Sequence, residues 1–166
     1  GDTAPRSFRA YDAVGRYENH TGRNEFGFLK VAADYENLFF YAEFTNNVSF
    51  SGGKPVRLFL NTEGGSFARW SGYNLMVEIA AEGSSVCECA GNGSFSWKKV
   101  GCAECFIEKN RLHLSVPRKL AGLSDGGFTL EFKWSDNMQE ADISDFYVNG
   151  DAAPRGRLNY VFTLKV

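Results

Sequence analysis

The residues best suited to chemistry are four cysteines in one stretch of the chain: Cys87, Cys89, Cys102 and Cys105. They form a C-x-C pair and a C-x-x-C pair, a pattern compatible with two disulfides, one tetrahedral zinc ion or four reduced thiols. Zinc ribbons usually place each pair in a tight turn, whereas Cys87 and Cys89 occupy alternate positions of a predicted strand. The even count favours disulfides, and we expect at least one bridge between the two pairs. The favoured pairing is Cys89 with Cys102, because Cys102 opens the next predicted strand. Zinc and free thiols remain the alternatives.

An acidic tract over residues 134–145 could supply oxygen ligands to a hard cation such as calcium. Its candidate ligands are Asp136, Asp142 and Asp145. The tract lacks the glycine and the ligand spacing of an EF-hand loop, and Asp142 and Ser144 are equally suited to cap a short helix. We therefore favour caps and turns over a calcium site, and we expect no cofactor.

The sequence offers little for catalysis. It contains neither the His-Glu-x-x-His motif of zinc proteases nor the Gly-x-x-x-x-Gly-Lys-Ser/Thr loop that binds phosphates. Of its two histidines, His20 lies in a polar stretch, and His113 lies between Arg111 and Ser115 on the polar side of a predicted strand. That position favours a solvent-facing role over that of a general base. We therefore expect no enzymatic activity.

Charge and hydropathy argue against two classes of partner. The chain has a net charge of −2, and its only adjacent basic pairs are Lys98-Lys99 and Arg118-Lys119, too few for a nucleic-acid surface. The longest apolar run, residues 38–42, is far shorter than the roughly 20 residues of a membrane span. The length of 166 residues predicts one domain over residues 1–166. The N-terminus carries no hydrophobic signal segment, as expected of a mature or excised form.

Strands must position the candidate residues named above, because apolar and polar residues alternate in six separate runs. The runs begin at Leu38, Val56, Tyr73, Leu112, Phe128 and Leu158, and turn clusters rich in Gly, Ser, Asn and Asp separate several of them. Weaker runs raise the expected number of strands to about nine or ten. Helical signals are short and occur at residues 117–121 and 141–147. The sequence therefore predicts an all-β fold, a single antiparallel β-sandwich of the jelly-roll or immunoglobulin-like kind.

Two stretches resemble a known family. Residues 34–45, which begin Asp-Tyr-Glu-Asn-Leu-Phe, and residues 56–62 resemble successive strands of carbohydrate-binding module family 9, a group related in fold to DOMON domains. Residues 112–117, 128–137 and 142–160 look like the C-terminal half of such domains as they are appended to bacterial glycoside hydrolases. The resemblance implies a secreted or periplasmic β-sandwich with a non-catalytic role in glycan processing. Its implied partners are a glycan or polysaccharide and a parent or partner glycoside hydrolase.

Family 9 modules hold the ends of sugar chains between stacked tryptophans and often carry calcium. Trp134 shares a strand face with Phe128, Leu130 and Phe132, which favours core packing. Trp97 lies in a polar loop, where we expect an exposed ring that stacks on a sugar, with Trp70 or Tyr73 as a second platform. The alternative for Trp97 is a lid folded over the edge of the sandwich.

Two other functions compete with sugar binding. One is a structural accessory domain that packs on a glycoside hydrolase and binds no sugar; a large, flat apolar patch would favour it. The other is haem binding, implied by the resemblance to DOMON domains, through Met76, Met138 and His113. All three of these residues are equally suited to ordinary packing or surface positions.

Overall fold

The alternating runs form strands in a computed structural model that describes residues 21–64, 69–91, 93–123, 126–138, 149–156 and 158–165. Eleven strands lie within these residues: β1 (Phe26–Ala33), β2 (Asn37–Phe44), β3 (Val56–Asn61), β4 (Leu75–Ala80), β5 (Gly83–Cys89), β6 (Trp97–Gly101), β7 (Glu104–Glu108), β8 (Arg111–Pro117), β9 (Phe128–Asp136), β10 (Asp151–Ala153) and β11 (Tyr160–Leu164). Short 3-10 turns occupy Ser51–Gly53 and Arg118–Ala121. Among the described residues, no helix has the length and apolar character needed to cross a membrane.

The strands form two antiparallel sheets. One has the order β1-β2-β8-β7, and the other has the order β10-β9-β3-β4-β5-β6, with β11 also paired to β9. Strands β10 and β11 lie end to end along one edge of β9, opposite residues 134–136 and 128–132 respectively. This arrangement confirms the predicted β-sandwich.

The main core lies between the two sheets and is made by the apolar side of each alternating run. Strand β2 contributes Leu38, Phe40, Ala42 and Phe44, while β9 contributes Leu130, Phe132 and Trp134 from the facing sheet. The ring of Phe40 bridges the sheets, with centroids 5.4 Å from Phe132 and 6.4 Å from Trp134. Full burial of a Leu or Phe side chain contributes about 1.5–3 kcal/mol. The predicted core position of Trp134 is confirmed.

The helical signal at residues 117–121 corresponds to the 3-10 turn Arg118–Ala121. It ends at Gly122, whose φ of 67° suits a residue without a side chain and whose N–H bonds back to Lys119. The second signal, at residues 141–147, lies outside the described residues.

Candidate functional site

Among the described residues, the outward side of the four-stranded sheet is the surface with the most exposed aromatic side chains. Because β2 turns Leu38, Phe40 and Ala42 inward, its alternate residues Phe39, Tyr41 and Glu43 face outward. The same alternation directs outward residues 28, 30 and 32 of β1, 104, 106 and 108 of β7, and 111, 113 and 115 of β8. We call these outward residues the aromatic face.

Strand register arranges the aromatic face in rows that run across the sheet. The central row is Lys30, Tyr41, His113 and Phe106. The row on one side is Phe28, Glu43, Arg111 and Glu108, and the row on the other is Ala32, Phe39, Ser115 and Glu104. Every row therefore combines an aromatic residue with polar or charged ones.

The rings of the aromatic face brace one another and stay open to solvent. The centroid of Tyr41 lies 4.9 Å from that of His113 and 6.3 Å from that of Phe28, and Phe106 lies 6.1 Å from His113. Phe28, Phe39 and Phe106 are 51%, 39% and 63% exposed. Large apolar rings grouped on a surface usually mark a place where something binds.

Polar groups on the aromatic face lie beside the rings. The Tyr41 hydroxyl donates to Glu43 Oε2 at 2.7 Å, and this hydrogen bond raises the pKa of Tyr41, so the phenol stays protonated at neutral pH. Lys30 Nζ lies 5.2 Å from the ring centroid of Phe28 and 5.9 Å from that of Tyr41. Arg111 Nε lies 4.0 Å from Glu43 Oε2. These groups offer both donors and acceptors to a ligand lying on the rings.

A depression of about 770 Å³ lies over the central part of the aromatic face. Its lining includes Lys30, Phe39, Tyr41, Phe106 and His113. The combination of flat apolar rings with hydrogen-bonding side chains in an open depression suits the binding of a ligand that has both apolar faces and polar edges.

The predicted sugar platforms lie elsewhere, in a second hydrophobic cluster on the outer side of the seven-stranded sheet. Trp70 and Tyr73 are each only 4% exposed, and Trp97 is half-buried. Phe59 lies at the centre, with its ring centroid 5.2 Å from Trp70, 5.3 Å from Tyr73 and 6.1 Å from Trp97. The structure thus brings the three candidates together as packing partners, and they cover Phe59. We call the whole cluster the outer cluster; its other members are Met76, Cys87, Cys89, Phe95 and Met138.

Trp97 also differs from its predicted location, because it begins β6 and does not lie in a loop. Its indole N–H is buried without a hydrogen-bond partner, so the ring presents no polar edge to a ligand. Tyr73 uses its hydroxyl internally, donating to Asn159 Oδ1 at 2.5 Å, and burial raises the pKa of Tyr73. The geometry favours the lid interpretation of Trp97.

The expected Cys89–Cys102 disulfide is absent, and all four cysteines are free thiols. The register of β5 and β6 places Cys89 opposite Trp97, while Cys102 follows the end of β6. Cys105 lies in the other sheet and packs against the main core, where burial raises the pKa of its thiol to about 11. The four thiols therefore do not surround one point, as a zinc site would require.

The candidate ligands for a metal ion or a haem that the structure describes likewise do not lie together. Asp136 is buried and ion-paired with Arg23 at 3.1 Å, so a guanidinium lies where a cation would bind; Asp142 and Asp145 lie outside the described residues. Within the described part of the chain, no three His, Cys, Asp or Glu residues form a metal-binding group. Met76 and Met138 belong to the outer cluster, whereas His113 lies on the aromatic face of the other sheet, so these residues do not fit one haem.

The sequence also contains the letters Gly-Leu-Ser-Asp-Gly at positions 122–126, which match the nucleophile elbow of hydrolases. That motif requires a sharp turn from a strand into a helix. Here the segment leads from a 3-10 turn into β9, and Ser124 lies outside the described residues. The context differs from that of a nucleophile elbow.

Sequence reasoning missed the aromatic face itself. A signal was present, because Phe39 and Tyr41 occupy the positions of β2 that alternate with its core residues, where polar residues are usual. Phe28 and Phe106 lie in weaker runs whose pairing cannot be read from the sequence. Their assembly into one surface depends on the order β1-β2-β8-β7.

Comparisons with protein-family models, with curated proteins and with solved structures find no match. Of what the resemblance to family 9 modules implies, only the β-sandwich is confirmed, and the glycan-related role remains a prediction. The function has to be argued from the geometry of the aromatic face.

Proposed function

We propose that this protein is a non-catalytic carbohydrate-binding module and that it binds its glycan on the aromatic face. The observation that carries the proposal is the group of exposed rings, Phe28, Phe39 and Phe106, interleaved with polar side chains. One face of a sugar ring is lined by C–H groups that pack on an aromatic plane, while its hydroxyls point outward to hydrogen-bonding groups. The aromatic face offers both kinds of contact at once.

The mixture of charges supports a neutral ligand. Basic Lys30 and Arg111 stand among acidic Glu43, Glu104 and Glu108, so neither a polyanion nor a polycation meets a surface of opposite sign. The mixture also weighs against a docking surface for an enzyme, because the centre of a protein interface is depleted of Lys and Glu. A hydroxyl-rich, uncharged glycan fits these groups best.

In this proposal the module serves an exported glycan-processing system, as the family resemblance implies. It holds a polysaccharide close to a parent or partner glycoside hydrolase and takes no part in bond cleavage. The outer cluster and the main core stabilise the sandwich, and the four-stranded sheet presents the binding surface.

A glycan-array screen followed by isothermal titration tests the proposal. Truncation of Phe39 or Phe106 to alanine removes an apolar contact, so each variant should bind the identified glycan about 5- to 150-fold more weakly, equivalent to about 1–3 kcal/mol. The matched control is Val161→Ala, which removes an exposed apolar side chain from the other sheet and should leave affinity unchanged. The proposal would be overturned if the protein bound no glycan on the array, or if both Phe variants bound the identified glycan with wild-type affinity.

A further inference from the structure

The aromatic face continues beyond its central depression toward the turn between β1 and β2. The row after Phe39 and Ser115 on the same side of the sheet is Asn37 and Pro117, which are paired in register. A second depression of about 730 Å³ begins there, and its lining includes Asn37, Pro117, Lys119 and Tyr35. Because Asn37 and Pro117 are two residues along from Phe39 and Ser115, the two depressions adjoin along β2 and β8.

Tyr35 stands at the far end of this second depression and is 88% exposed. The turn that carries it is fixed, since Asp34 Oδ1 accepts hydrogen bonds from the N–H groups of Glu36 at 2.8 Å and Asn37 at 2.7 Å. The Arg118 guanidinium also donates to the Asp34 carbonyl at 2.8 Å. Because this backbone is already ordered, ligand binding to the ring has to order only the Tyr35 side chain.

Aromatic rings therefore follow the β1–β2 hairpin from one end to the other: Phe28, Tyr41, Phe39 and Tyr35. Within β2, the step from Tyr41 to Asn37 is four residues, which corresponds to about 13 Å at the rise of an extended strand, and the turn that carries Tyr35 lies beyond Asn37. Such a span is much longer than a single sugar ring. The rings at both ends, Phe28 and Tyr35, are well exposed, so the span is open where a longer chain would continue.

We propose that the ligand is a linear, neutral polysaccharide that lies lengthwise along the β1–β2 hairpin and is held through several consecutive internal sugars. This inference rests on the proposed carbohydrate-binding function and adds the class and orientation of the ligand. A β-1,4-linked chain is an extended ribbon whose ring faces can lie on successive aromatic residues. An α-1,4-linked chain curls away from a flat surface and meets only part of the row.

Titration with cello-, xylo- and manno-oligosaccharides of two to six sugars tests the inference, with malto-oligosaccharides as the comparison series. We expect the affinity for one of the β-1,4-linked series to rise at least about tenfold from the disaccharide to the hexasaccharide, as further rings contact further sugars. Reduction of the end sugar of that hexasaccharide to its alditol should leave the affinity unchanged, because internal sugars make the contacts.

Tyr35→Ala should weaken binding of the hexasaccharide about fivefold or more and leave the disaccharide affinity unchanged, while Tyr35→Phe keeps the ring and most of the affinity. Phe39→Ala, in the middle of the row, should weaken both ligands. The lengthwise arrangement is overturned if the hexasaccharide binds no tighter than the disaccharide, if Tyr35→Ala binds it like the wild type, if the alditol loses affinity, or if the malto series or a branched glycan is preferred. In each of these cases glycan binding itself stands; failure to bind any glycan on the array overturns both proposals.

Discussion

The side chain of Lys133 holds the segment between β10 and β11 through hydrogen bonds to its backbone. It is buried on the outer side of β9, and its ammonium group donates to the backbone carbonyls of Pro154, Gly156 and Leu158. Burial lowers the pKa of Lys133 to about 8, while the three carbonyls favour the charged form. The side chain thus fixes the segment between β10 and β11 against the sheet.

Replacement of Lys133 by methionine keeps the length of the side chain and removes its donors. The three carbonyls then lose a buried partner, and we expect the free energy of unfolding to fall by about 1–3 kcal/mol. Urea denaturation followed by circular dichroism measures the loss. The control is Lys98→Met on the exposed side of β6, which should change stability by less than about 0.5 kcal/mol. Equal stability of the two variants would contradict this role of Lys133.

The thiols should differ in reactivity because their surroundings differ. Cys102 is exposed, Cys89 is buried, and the raised pKa of Cys105 keeps that thiol protonated until the pH approaches about 11. At pH 8, iodoacetamide should therefore modify Cys102 first and Cys89 and Cys105 last, and a rise in pH toward 11 should speed the reaction of Cys105. Mass spectrometry of timed samples gives the order. Protein that shows no thiols before reduction would restore the disulfide interpretation.

At the scale of elements, β3, β4 and β5 carry apolar residues on both sides. Their inner residues form the main core, and Phe59, Met76, Cys87 and Cys89 face outward into the outer cluster. The segment between β3 and β4 supplies Trp70 and Tyr73, which cover these residues. This part of the sandwich therefore has a third layer, made of aromatic side chains.

Truncation of the outer cluster should lower stability without weakening glycan binding. We expect Trp70→Ala to cost about 3–5 kcal/mol through a buried cavity, and Trp97→Ala to cost less because its ring is half-buried. Melting curves and isothermal titration below the melting temperature separate the two effects. If Trp97→Ala melted like the wild type and lost its glycan, the sugar-stacking role would return to Trp97.

At the scale of the whole molecule, the two clusters share strands and should unfold together. Trp134 reports on the main core, whereas Trp70 and Trp97 report on the outer cluster. In a Trp134→Phe variant, and in a Trp70→Phe/Trp97→Phe double variant, the fluorescence transition in urea should coincide with the far-ultraviolet circular dichroism transition of the same variant. An earlier fluorescence transition in the variant that retains Trp70 and Trp97 would show that the outer cluster opens separately.

The sandwich and its main core could be predicted because alternation is a local signal. The inward direction of Leu38, Phe40 and Trp134 can be predicted because each has another apolar residue two positions away. Burial of Trp70 and Trp97 could not be predicted, since it depends on Phe59, an apolar residue on the side of β3 away from the main core. The aromatic face could not be predicted either, because Phe28 and Phe106 lie on the two edge strands of the sheet and meet only through long-range pairing.

The segment around Lys133 has a consequence for the conditions under which this protein can work. Loops rich in backbone carbonyl oxygens are often organised by a dissolved metal ion, and they loosen when a chelator or dilution removes it. Here the cation is covalently part of the chain, as is the Arg23 guanidinium beside Asp136. Chelators and dilution therefore leave these two places ordered, whereas a pH above the Lys133 pKa of about 8 removes the charge of that cation.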